Sequence, residues 1–130
     1  MDGKIALSKY KRQGLCCAQI MVQLGLDLRN EENEQMVSAM SALCGGFHQG
    51  LFCGALSGAA IMLSLFDSKI ARKDMIPELI QWFFVEFGST DCLKILDEDM
   101  PNSLVKCGDL MEKTYFYAQQ MLMDYGFLTD

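Results

Sequence analysis

Residues 51–66 read Leu51-Phe52-Cys53-Gly54-Ala55-Leu56-Ser57-Gly58-Ala59-Ala60-Ile61-Met62-Leu63-Ser64-Leu65-Phe66, a run without a charged side chain and rich in small residues. Its reading decides the fold, because such a run is either a membrane span or a buried helix. A span needs about 20 consecutive apolar residues, and this run is shorter. The uncharged stretch reaches back to Gln35, but Gly45, Gly46, His48, Gln49 and Gly50 break it near the middle. Two buried helices joined by a glycine-rich loop are expected, not a membrane hairpin.

Outward from this run the apolar spacing is helical nearly everywhere, and no period-two strand pattern stands out. A short helix is expected over Lys4 to Gln13, stopped by Gly14, and a second from about Cys16 to Leu24. The two are alternatively one helix kinked at Gly14. Asn30 is a candidate N-cap for a helix through Glu31, Glu32 and Glu34 that runs on to Leu43 and stops at Gly45-Gly46. The helix opened by Cys53 extends to Phe66. Asp74 can cap the next, with Pro77 in its first turns and Gly88 at its end. Ser89-Thr90-Asp91 signals a short helix over Cys92 to Leu96. Asn102 or Ser103 starts a long last helix that ends at Gly126. No linker, repeat or second domain interrupts residues 1–130. The expected fold is all-α, a single-domain compact bundle of about five to six helices.

Composition narrows the function classes. The chain is 51% hydrophobic and 22% charged, which excludes a disordered tail. Its net charge is -6 with scattered basic residues, which argues against nucleic acid or an anionic membrane as partner. The stretch MDGKIALSKYKRQG holds no apolar segment of signal-peptide length, so a cytoplasmic setting is expected. Thiols stay reduced there, and six cysteines are then read as catalytic, metal-ligating or buried groups rather than a disulfide framework.

Four of the six fall at expected helix starts: Cys17, Cys53, Cys92 and Cys107. A helix amino terminus offers free N–H groups and partial positive charge, which favour the thiolate, the form that attacks disulfides and binds metals. Cysteine is also a small hydrophobe, so core packing is the ordinary alternative at each position. Cys16 and Cys17 are neighbours, but adjacent helical residues face apart; Cys16 is read as an extra thiol and Cys44 as core. There is no Cys-x-x-Cys pair and no Cys-x-x-Cys-His, so any site has to be assembled from distant segments.

Gly54 and Gly58 lie four apart on one helix face, where missing side chains admit a neighbouring backbone or clear space around the Cys53 sulfur. Both glycines and His48 are candidates for holding a cofactor; His48, the only histidine, could also serve as base or proton donor. The loop lacks the Gly-Lys-Ser/Thr ending of a phosphate-binding loop, so nucleotide binding is not supported.

The run Gly14-x-x-Cys17-Ala18-Gln19, the Gly-Gly loop leading into Cys53-Gly54-Ala55-x-x-Gly58, and the single cysteines at 92 and 107 together resemble the C_GCAxxG_C_C family. The resemblance extends from about Gly14 to Cys107. It implies a small helical protein for which a redox role has been proposed from its cysteines, and these map onto Cys17, Cys53, Cys92 and Cys107. Where the family name writes Gly before Cys, this chain reads Cys53-Gly54. Cys16 and Cys44 depart from the family pattern.

Three functions follow. The first is thiol–disulfide or electron-transfer chemistry by the four cysteines, as oxidoreductase or electron carrier with an unidentified redox partner. The second is an iron–sulfur cluster or zinc ion held by the same four thiolates. The third is a helical interaction module, for which ten methionines and Trp82-Phe83-Phe84 would supply core packing or a homodimer face.

Overall fold

The computed structural model describes residues 3–96 and 103–129, and it is helical as expected. Seven helices are present among the described residues, one or two more than expected. α1 spans Gly3–Arg12 and α2 spans Cys17–Leu28, separated by a turn at Gly14 with φ +84°, so they are two helices and not one kinked helix. α3 covers Glu34–Ala39 and tightens into a 3-10 turn over Met40–Leu43; α4 is Gly54–Ser64. α5 runs continuously over 68–87, α6 is Cys92–Ile95 and α7 is Ser103–Asp124. The alternative cap at Asn102 lies outside the described residues.

Two expected helix starts move, each for a local reason. Asn33, not Asn30, caps α3: its Oδ1 accepts from Met36 N–H at 3.0 Å. Asn30 instead takes a left-handed conformation, φ +55°, in the turn that ends the longer α2. Asp67, not Asp74, caps α5, with Oδ1 accepting from the N–H groups of Lys69 and Ile70 at 3.0 Å each. Pro77 therefore sits inside a helix. Its ring cannot donate to the ladder, and the turn just before it, Ala71–Met75, widens to π geometry.

α4 is the centre of the core. Leu56, Ala59, Met62 and Leu63 are buried against Ile20, Met21 and Leu24 of α2, Met75, Leu79 and Phe83 of α5, and Leu110, Tyr115, Ala118 and Leu122 of α7. The opposite side of α2 packs Ala18, Val22 and Leu26 onto Val37, Met40 and Cys44. Helix α2 is thus covered on two sides.

Glycines decide how closely α2 and α4 approach. A methyl group on Gly58 would lie 2.9 Å from Ala18 O and 2.8 Å from Met21 Cβ, and one on Gly25 would lie 2.6 Å from Met62 Cγ. No described helix is long and apolar enough to cross a membrane.

Gly58→Ala tests this contact. Alanine gains about 1 kcal/mol of helix propensity, but overpacking against backbone typically costs about 1–3 kcal/mol. A lower midpoint in urea unfolding is expected; an unchanged or higher midpoint would show that α2 and α4 can separate freely.

Candidate functional site

The chain segments before α4 and α6 are tied to each other. Cys53 N–H donates to Thr90 O at 2.8 Å and Cys92 N–H donates to Leu51 O at 2.5 Å, flanking an isolated antiparallel bridge between Phe52 and Asp91. Two backbone bonds therefore bring Cys53, at the N-cap of α4, beside Cys92, the first residue of α6. Cys17 opens α2. That start is held by Gln19, whose Oε1 accepts from Cys16 N–H at 3.1 Å and whose Nε2 donates to Val37 O at 3.1 Å. Cys107 lies near the beginning of α7.

These four starts meet around one cavity of about 280 Å³, lined by all four free cysteines and by Cys16. Its walls are apolar, from Leu15, Ile20, Leu96, Leu110 and Met111, and Lys11 is the charged residue on its lining. Gly54 also lines it, but clears space for a different sulfur than expected: a methyl there would lie 2.7 Å from Cys17 Sγ. The other two cofactor candidates are not brought to the cavity. Gly58 faces the α2 backbone. His48 is exposed, with Nε2 2.8 Å from Ser41 O, in a run of left-handed residues from Gly45 to His48 that turns it away.

Burial, not the helix ends, governs the thiols. Desolvation pushes Cys53 up to about 12 and Cys107 up to about 11, and raises Cys17 and Cys92 above the ordinary 9.0. The helix-start effect is present and opposed. Backbone N–H groups of Leu56 and Ala55 lower Cys53, and those of Gly45, Ala18 and Cys17 itself lower Cys17. Charge on Cys17 raises each of the other three, while Lys11 lowers Cys107. The expected resting thiolates are therefore neutral thiols, because an apolar cavity removes more hydration than a few N–H groups replace.

Cys16 and Cys44 form a disulfide with Cα atoms 6.0 Å apart, across a sequence separation of 28. Cys16 is thus no spare thiol. Cys44 is core as expected, at 5% exposure, and bonded as well. The signal that could have found the pair is parity: four cysteines at one site leave two for each other. Lys11 was also missed, having no motif around it.

Among the described residues, no group of three or more His, Cys, Asp or Glu side chains is arranged to hold a metal ion. The four thiols line a common cavity but are not grouped there as a ligand set. What the arrangement can do is form sulfur–sulfur bonds between neighbours.

The raised thiols make stability pH-dependent. Above about pH 8.5 the unfolded chain releases thiol protons that the folded chain retains, so the folded state binds more protons and rising pH favours unfolding. Urea-unfolding free energy is expected to fall steadily between pH 8.5 and 10, with a shallower slope in Cys53→Ala. A flat profile would show that the thiols are hydrated in the folded state.

No curated protein and no solved structure matches the chain. Residues 15–121 match the family described as "Putative redox-active protein (C_GCAxxG_C_C)". That match takes in all four cavity cysteines and most of the helical core, and the chain belongs to the C_GCAxxG_C_C family.

Proposed function

We propose that the chain is a two-electron dithiol–disulfide oxidoreductase or carrier of the cytoplasm, reacting in the cavity through Cys17, Cys53, Cys92 and Cys107. The observation that carries this reading is that four free thiols open on one apolar cavity, with Cys17 electrostatically coupled to each of the others. Cys17 is the attacking group. It is partly exposed, and three backbone N–H groups stabilise its thiolate against burial.

The steps balance as ordinary exchange. Cys17 loses a proton and its thiolate attacks one sulfur of a disulfide substrate, whose other half leaves as a thiol after taking up a proton. The Cys53 thiolate then attacks Cys17 Sγ and releases the second half. Two thiols of the protein become one disulfide while one substrate disulfide becomes two thiols; a dithiol donor reverses the change. Because the cavity thiols are protonated at neutral pH, the first step rises about tenfold per pH unit below the Cys17 pKa.

Hydroxyethyl disulfide, small and uncharged, tests the reading on protein purified without oxygen. The expected result is loss of two free thiols per chain, at least about tenfold slower in Cys17→Ser, and arrest at a mixed disulfide on Cys17 in Cys53→Ser. Unchanged thiol counts would reject it. So would stoichiometric iron or zinc in the purified protein that disappears on Cys17→Ser or Cys92→Ser, since the thiols would then be ligands.

A further inference from the structure

The geometry points to the Cys16–Cys44 disulfide as an internal electron acceptor for the cavity thiols, exchanged through Cys17, rather than a passive brace. The inference rests on the dithiol reading above and adds two reacting residues to it. Three observations support it.

The disulfide touches the cavity, because Cys16 is part of its lining. Its far half is beside the attacking sulfur. A methyl on Gly54 would lie 2.7 Å from Cys17 Sγ and 3.3 Å from Cys44 Cα, so both border the same small space. Gly45, directly after Cys44, also turns its N–H toward the Cys17 sulfur.

The two halves of the disulfide are electrostatically unequal. Cys16 is the N-cap of α2, a helix of 12 residues, whose positive end favours negative charge on a departing sulfur. Cys44 follows the carboxyl end of the 3-10 turn Met40–Leu43, and its sulfur lies 3.9 Å from Met40 O, which destabilises negative charge there. The better leaving group is therefore Cys16 and the sulfur attacked is Cys44. Attack on Cys44 also avoids the strained bond between neighbours Cys16 and Cys17 that attack on the other sulfur would require.

The sequence of bonds needs no outside oxidant. Cys17 thiolate attacks Cys44 Sγ, the Cys16–Cys44 bond breaks, and Cys16 leaves as thiolate and is protonated. Cys53 thiolate next attacks Cys17 Sγ, the Cys17–Cys44 bond breaks, and Cys44 takes up a proton. One disulfide and two thiols remain, with oxidation moved from Cys16 and Cys44 to Cys17 and Cys53. In the reverse direction a disulfide made at Cys17 and Cys53 by substrate is passed out to Cys16 and Cys44, returning the cavity to its dithiol state.

The test uses the full chain purified without oxygen and held at pH 7 and pH 8.5 with no added oxidant. Samples are acid-quenched, alkylated and mapped for disulfide-linked peptides. Cys17–Cys44 and Cys17–Cys53 linkages are expected to appear at a constant total of four free thiols, faster at pH 8.5 by about tenfold or more. Cys53→Ser should accumulate Cys17–Cys44 with Cys16 alkylated, and Cys17→Ser should retain Cys16–Cys44 alone. Wild-type mapping requires no variant to fold. A fixed Cys16–Cys44 bond at both pH values overturns the inference, as does a count of six free thiols. If hydroxyethyl disulfide still oxidises the cavity pair in that case, the dithiol reading survives and only the relay fails.

Discussion

The close approach of α2 and α4 is the constraint on which the remaining structure depends. It exists because Gly25, Gly54 and Gly58 present no side chain at the seam. Glycine inside a helix costs about 1 kcal/mol relative to alanine, and the contact it permits has two effects. It brings α2 near enough to α4 for α2 to be buried on two sides, so that α3 and its 3-10 turn can pack on the outer face. It also aligns the starts of the two helices, so that Cys17 lies over Gly54, the residue after Cys53. A larger side chain at Gly54 would meet the Cys17 sulfur directly. The packing seam and the thiol cavity are consequently one feature.

Around that seam, two electrostatic effects compete for the cysteines, and burial wins. The N–H groups at the starts of α2 and α4 do act on Cys17 and Cys53, but exclusion of water acts more strongly. The thiols also repel each other's charge, with Cys17 raising Cys53, Cys92 and Cys107. Ionising one therefore makes the next harder to ionise, and the titration belongs to the group rather than to each residue. A cavity with these properties favours one thiolate at a time. That suits stepwise exchange, in which each attack consumes one thiolate and liberates another.

The helices were legible because apolar spacing and glycine stops are local signals. Their starts were less so. Asp74 before Pro77 reads as cap and first turn, yet the chain is already helical from Ser68, since Asp67 satisfies two N–H groups and a π turn accommodates the proline. Asn30 loses to Asn33 because α2 runs longer than its last apolar repeat suggested. At the site, the helix-start positions of four cysteines were readable one by one. Their meeting was not. That of Cys53 with Cys92 rests on backbone bonds between 51–53 and 90–92, which leave no side-chain signature. The Cys16–Cys44 bond is likewise a tertiary fact, joining an N-cap to the residue after a 3-10 turn.

The same exclusion of water that neutralises the thiols also restricts what can react with them. Leu15, Ile20, Leu96, Leu110 and Met111 offer a charged visitor nothing to replace its hydration, and Lys11 is the charged residue on the cavity lining. The N–H groups of Cys53 and Cys92 are already engaged by Thr90 and Leu51 and are not free to receive an anion. An uncharged disulfide loses least on entry. Its departing sulfur must be protonated quickly, because the cavity stabilises a thiolate poorly, and the neutral thiols and Lys11 are proton donors on the cavity lining. Protonated resting cysteines are thus compatible with exchange: one supplies the nucleophile when it ionises, and the others supply the proton that completes the step.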